Sequence, residues 1–284
     1  PMPIIVSVDT AVDIFPTDRR IEATAKVQLI NRTAEPITRF LVNMPRFSPI
    51  TNVEIEGGKL GEINDKYNLA WFEFTQPMLP GEQRDGILTV VREHHGFKNS
   101  GEDSTLVKNG TFIDNFSLFP YFGFNESYQI SDQHERRKRD LEPIQRAYKL
   151  EDSSRYSESF FGKAVEFIEF SATLSTSADQ FAIAPGYLQK EWQQDGRNYY
   201  RYEMDAPMVN FFSIMSSKLE SKKVQHDGIN IEVYYHPTHH WNVDRMIESS
   251  KDSLYYFEQV FSPYQHKQLR IIEFPGYRSF AQSF

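Results

Sequence analysis

The first half of the chain alternates apolar and polar residues with a period of two, the pattern of strands that bury one face. In RIEATAKVQLIN, Ile21, Ala23, Ala25, Val27 and Leu29 fall on one side, and Glu22, Thr24, Lys26 and Gln28 fall on the other. Similar runs follow in ITRFLVN, TNVEIEGG, NLAWFEF and GILTVVREH. Asn-Arg-Thr-Ala-Glu-Pro, Gly57-Gly58 and Leu79-Pro80-Gly81 separate them, all with turn chemistry. Links this short leave no room for crossover helices, so the sheet is expected to be mostly antiparallel.

A polar stretch from Asn125 to Ser159 has few apolar residues and no steady period, and reads as an exposed excursion with a short helix. Alternation resumes at Val165, where Ile168, Phe170, Ala172 and Leu174 share a face. QFAIAP follows, then a hairpin closed at Asp195-Gly196, then VNFFSIMSS. Near residue 222 the pattern changes to strand (INIEVYYH), helix (Asn242 to Phe261) and strand (QLRIIEF). In that helix Val243, Met246, Ile247, Ser250, Leu254, Phe257 and Phe261 make an apolar stripe, Asn242 stands at the N-cap, and Asp244 suits the positive first turn. The change divides the chain into residues 1–222, a mainly β domain, and residues 223–284, the beginning of an α/β layer. Such a layer needs further elements to cover it, so the stretch reads as a fragment.

Composition narrows the classes. With 23 Phe and 15 Tyr the chain suits a β-rich globular protein. A net charge of −8 disfavours a sequence-independent grip on nucleic acid. The absence of cysteine excludes disulfides and thiolate zinc sites. No run of about 18 apolar residues is present, so the piece itself reads as soluble.

Candidate chemistry is sparse. His134-Glu135-Arg136-Arg137-Lys138 lacks a second histidine at i+4 and reads as a solvated basic patch. His94 and His95 are adjacent on a strand and point to opposite faces. His236-Pro237-Thr238-His239-His240 is the densest histidine cluster, but Pro237 holds it extended and no carboxylate lies within it. Phosphate loops, Ser nucleophile elbows and reactive-Cys arrangements do not appear. No catalytic residue and no metal ligand is assigned. Tyr199, Tyr200, Tyr202 and Trp192 could stack on sugars, though cross-strand pairing is the more ordinary reading.

The order of segments resembles the start of the gluzincin zinc aminopeptidases, the family of alanyl aminopeptidase and leukotriene hydrolase. Asn31-Arg32-Thr33 with the opening strands resembles their first sheet. Phe119-Pro120-Tyr121-Phe122 sits where the family carries a Phe-Pro-Cys-x-Asp-Glu-Pro block. VEFIEFSATLSTSADQFAIAPGYL resembles the strand pair that follows, and SLYYFEQVFSPYQHKQLRIIEFPGY resembles the first helix and strand of their catalytic domain.

The resemblance implies a saddle-shaped antiparallel β-sandwich domain followed by the beginning of a thermolysin-like domain. It implies zinc in the full-length parent, held by a His-Glu-x-x-His helix and a later Glu that these residues do not contain. The parent would hydrolyse peptide substrates with a zinc-activated water, and this stretch alone would be inactive. The family's Gly-Ala-Met-Glu-Asn segment falls on Phe280-Ala281-Gln282-Ser283-Phe284, so Ala281, Gln282 and Ser283 stand at the substrate, with Ser283 in place of the glutamate that pairs with its amine. Counting back from Pro120, the β-domain amine contact falls on Asn109, where Asn109-Gly110 also reads as a hairpin turn. This variant pattern resembles the subgroup fused to membrane transport permeases, which would anchor the parent in a membrane. The partners implied are a peptide, the remainder of the catalytic domain and that permease segment. A non-catalytic interaction module derived from the family is the alternative.

Overall fold

The computed structural model describes residues 2–46, 48, 50–94, 105–123, 129–144, 149, 151–156 and 166–274. The alternating runs of the first third form β1 (Ile4–Phe15), β2 (Arg20–Ile30), β3 (Ile37–Asn43), β4 (Ile50–Ile55), β5 (Gly58–Leu60), β6 (Leu69–Met78) and β7 (Gln83–Glu93). Next come β8 (Leu106–Val107), β9 (Gly110–Asp114), the one-turn helix α1 (Asn115–Leu118) and β10 (Tyr121–Phe122). The polar excursion contributes helix α2 (Gln133–Arg137). Beyond it lie β11 (Phe167–Ser177), β12 (Phe181–Ile183), β13 (Tyr187–Gln194), β14 (Arg197–Glu203), β15 (Met208–Val209) and β16 (Ser213–Ser217). The chain continues as β17 (Glu220–His226), β18 (Ile229–Tyr235), helix α3 (Val243–Val260) and β19 (Gln268–Ile272).

Among the described residues these strands form four sheets. The largest runs β13-β14-β11-β1-β2-β7-β4, with β15 added to β11. Two smaller sheets, β10-β3-β6-β5 and β12-β16-β9-β8, pack against it, and β17-β18-β19 stands last. The fold is mainly β, as the alternation demands. Within the large sheet β1 and β11 pair in parallel, from Ser7↔Glu169 to Asp13↔Ser175. The link between them is the intervening chain with its other strands, not a crossover helix, which is why short-range period does not reveal it. β18 and β19 are also parallel, joined through α3 as a strand-helix-strand unit requires.

Two separate apolar clusters hold these layers. The first gathers the inward faces of the β-rich part, where Ile21, Leu29, Ile37, Phe72 and Ile168 are fully buried. Phe40 anchors its aromatic centre, 5.3 Å from Phe72 and 5.0 Å from Phe122 between ring centroids. The second cluster joins Ile229, Ile231 and Val233 of β18 to Val243, Ile247 and Leu254 of α3. β16 ends at Ser217 and β17 begins at Glu220, so the expected division after residue 222 falls inside β17.

Several local expectations need correction. VNFFSIMSS is broken into β15 and β16. β17 was not foreseen, because ESKKVQH carries one apolar residue, Val224, and an edge strand with Lys222 and Lys223 needs little more. It closes on β18 at Asp227 (φ 46°) and Gly228 (φ 84°), the left-handed pair that a two-residue hairpin requires. α3 buries Val243, Ile247, Ser250 and Leu254, whereas Met246, Phe257 and Phe261 are exposed. Asn242 occupies the N-cap without a side-chain cap bond, since a 3-10 turn, His240–Asn242, leads into the helix. Among the described residues no helix is long and apolar enough to cross a membrane.

Candidate functional site

Asn109 sits where two strands turn back. β8 and β9 pair through Val107↔Gly110 and Leu106↔Thr111, which leaves Lys108 and Asn109 as the two exposed residues of the turn. Buried side chains hold this turn from beneath. Ser217 Oγ donates to the Asn109 carbonyl at 2.9 Å, and Gln180 Nε2 donates to the Lys108 carbonyl at 2.9 Å. Ser216 Oγ donates to Gln180 Oε1 at 2.7 Å and shares a hydrogen bond of 2.7 Å with Thr176 Oγ1. The Asn109 amide is thereby presented on a fixed backbone, and its oxygen can accept a hydrogen bond from an ammonium group.

β9 is buried on both faces. Ile113 points into the first cluster, while Phe112 stacks on Phe274 with centroids 5.1 Å apart. Phe274 is the last described residue, just past β19, so the Asn109 hairpin and the end of β19 lie side by side. Ala281, Gln282 and Ser283 lie outside the described residues.

β19 reaches the β-rich part through polar contacts that sequence reasoning missed. Arg270 Nη2 donates to the carbonyls of Ala184 (2.9 Å) and Gly186 (2.8 Å), and Gln268 Nε2 donates to Gly186 as well (2.8 Å). The Arg270 guanidinium lies 5.5 Å from the Tyr202 ring centroid. Lys267 pairs with Asp205 at 2.5 Å and holds that carboxyl below its usual range. Burial pushes the phenol of Tyr202 well above its usual range, with the Arg270 charge pulling the other way.

The histidine cluster is not carboxylate-free in three dimensions. Glu273, from the end of β19, meets His239 Nδ1 and accepts from the His236 backbone N–H at 2.8 Å. His236 Nδ1 is engaged by Thr238 Oγ1 at 2.8 Å. Among the described residues no three His, Cys, Asp or Glu side chains come together as a metal ligand set. His94 is buried, and His95 lies outside the described residues. In α2, Asp132 caps the Glu135 N–H at 2.8 Å, and bonds from Arg139 and then Lys138 hold the Glu135 carboxyl below its usual range. Tyr200 and Tyr202 are buried, and Trp192 stacks on Tyr199 at 5.1 Å as a cross-strand pair.

No protein-family model and no curated protein matches the sequence. Solved structures do match the fold. A variant of a two-domain M1 zinc metallopeptidase bound to L-tryptophan superposes with a TM-score of 0.60 at 12% identity, over 95% of this chain and 56% of that one. The M1 zinc metallopeptidase from Deinococcus radiodurans gives 0.58 at 12% identity, over the same 95% and 56%. A variant of that organism's enzyme bound to a tyrosyl-seryl-alanine substrate gives 0.58 at 11% identity, again over 95% and 56%. The chain thus spans just over half the length of the structures it matches, and its β-rich architecture is that of the N-terminal part of M1 peptidases.

Proposed function

We propose that this chain is the β wall and first α/β layer of a zinc aminopeptidase, and that Asn109 receives the free amine of a peptide. The observation that carries the proposal is the juxtaposition of the Asn109 hairpin and the end of β19, within a fold shared over 95% of the chain with M1 zinc metallopeptidases. The neutral Asn109 amide would accept one hydrogen bond from the substrate's ammonium group. Ala281, Gln282 and Ser283 would line the same end of the cleft, with the Ser283 hydroxyl supplying no charge to pair with that amine.

The likeness to zinc metallopeptidases supports zinc in the proposed enzyme, where it would polarise the scissile carbonyl and activate water. The described residues offer no ligand set that fits it, so the proposal places those ligands on further polypeptide and derives no step through the metal. Fusion of that polypeptide to a membrane permease belongs to the same proposal, on the strength of the variant residues at Asn109 and Ser283.

One observation favours a second reading, a non-catalytic interaction module. Tyr255, Phe257 and Val260 of α3, and Phe261 just past it, are exposed. Under the first reading further catalytic-domain polypeptide covers them, and under the second a separate protein does. An assay of the longer gene product separates the two. Hydrolysis of aminoacyl anilides that stops with a chelator and returns with zinc supports the peptidase. Complete inactivity with zinc present supports the module.

A further inference from the structure

Between the Asn109 turn and β19 runs residues 178–186, a segment bonded in an unusual way. Its central part, β12, pairs with β16 along one edge, from Phe181↔Ser217 to Ile183↔Met215. Along the other edge no strand is hydrogen-bonded to β12 among the described residues, and side chains serve that edge instead. Asn198 Nδ2 donates to the carbonyls of Ala178 and Gln180, both at 3.1 Å. The Tyr202 hydroxyl donates to the Ala182 carbonyl at 3.0 Å, and Tyr200 reaches the Gln180 carbonyl at 3.5 Å. Arg270 takes the carbonyls of Ala184 and Gly186. Every second carbonyl from 178 to 186 therefore has a side-chain donor, from β14 at one end and from β19 at the other.

The same segment carries Gln180, whose amide holds the Lys108 carbonyl, while the Ser217 hydroxyl holds that of Asn109. Gln180, Ser216 and Ser217 are buried, so water competes little for these bonds. At Gly186 the backbone has φ +94°, and an added Cβ would lie 2.7 Å from the Glu203 backbone, so the bend that meets Arg270 admits no larger residue.

We propose that residues 178–186 form a rigid spacer that fixes the Asn109 turn relative to the end of β19, with Gln180, Ser217 and Arg270 as its positioning residues. Gln180 and, from β16, Ser217 grip the turn, and Arg270 grips the spacer from β19. The geometry stands on these contacts alone, whereas its consequence for a substrate amine rests on the proposed function. A bonded spacer that holds the Asn109 turn in one place preorganises its amide for an incoming ammonium group, which favours substrates carrying a free amine.

Two measurements test this. The chain has no native cysteine, so spin labels at Lys108→Cys and Asp252→Cys report the separation of the turn from the α/β layer. One narrow distance distribution is expected, broadened about twofold or more by Arg270→Met and by Gln180→Met. Ser217→Ala, a smaller change, replaces Gln180→Met if that variant fails to fold. Unchanged widths in Arg270→Met and in the turn variant overturn the spacer. In the longer polypeptide proposed above, Ser217→Ala and Gln180→Met should raise KM for unblocked aminoacyl anilides about tenfold, with kcat and the inhibition constant of N-acetylated peptides held within about twofold. Broadened distances with no KM change overturn the positioning role. A wild type that hydrolyses nothing removes the proposed function, and the distance measurement then decides the spacer by itself.

Discussion

Asn31 is fully buried and uses its whole amide. Its Nδ2 donates to the carbonyls of Glu35 and Met78, both at 2.9 Å, and its Oδ1 accepts from Thr33 N (2.9 Å) and Thr33 Oγ1 (2.7 Å). Asn31→Asp keeps the shape but sets a carboxylate against two carbonyls, which should cost about 2–4 kcal/mol in urea unfolding. A loss below about 0.5 kcal/mol would mean that those donors contribute little. Gly186→Ala should cost about 1–3 kcal/mol by the same measurement, because its backbone is left-handed and its Cβ site is filled. The Asn-Arg-Thr triplet was visible in sequence, whereas the turn read at Asn109-Gly110 lies one residue earlier, at Lys108-Asn109, with Gly110 the first residue of β9. The partners of Gln180 and Arg270 were not visible, since they lie 72 and 86 positions away and no local pattern encodes them.

α3 shows what periodicity can decide and what it cannot. The 3.6-residue repeat located the helix, yet the broad stripe it marked includes residues the fold leaves uncovered. β17 lies to one side of the helix, where Lys222 pairs with Asp244. On the β19 side Met246, Ser249, Ser253 and Ile271 line an open groove of about 460 Å³. Which part of a stripe is buried depends on how many strands the sheet has, and a helix's own sequence does not carry that count. Ile247→Ala should therefore cost about 2–4 kcal/mol, whereas Phe257→Ser should stay within about 0.5 kcal/mol. Equal losses in denaturant unfolding would contradict the burial of one face only. The inward faces of β2 and β11 were legible, because Ile21 to Leu29 and Ile168 to Leu174 alternate into the first cluster, while the ends of these strands were not.

Across the whole molecule the buried tyrosines set an alkaline limit. Burial, aided by the Glu191 charge, pushes Tyr200 up to about 12. Burial raises Tyr202 and Tyr234 further in the same direction, with the Glu232 charge adding to the effect on Tyr234. An unfolded tyrosine ionises near about 10, so above that pH the unfolded chain loses protons that the folded chain keeps. Stability should be level between about pH 8 and 10 and fall as pH rises through about 12. Phenolate absorbance should show these three ionising only on unfolding, and early titration of all 15 tyrosines would contradict their burial. At this scale the mainly β, mostly antiparallel class was readable, while the parallel β1–β11 pairing and the seating of β19 on residues 184–186 were not, because both join distant parts of the chain. The most direct test is a crystal structure of the longer polypeptide proposed above with L-arginine, a ligand found in one structural neighbour. The α-ammonium group is expected about 3 Å from the Asn109 amide oxygen. An amine held elsewhere, with Asn109 facing only solvent, would contradict it.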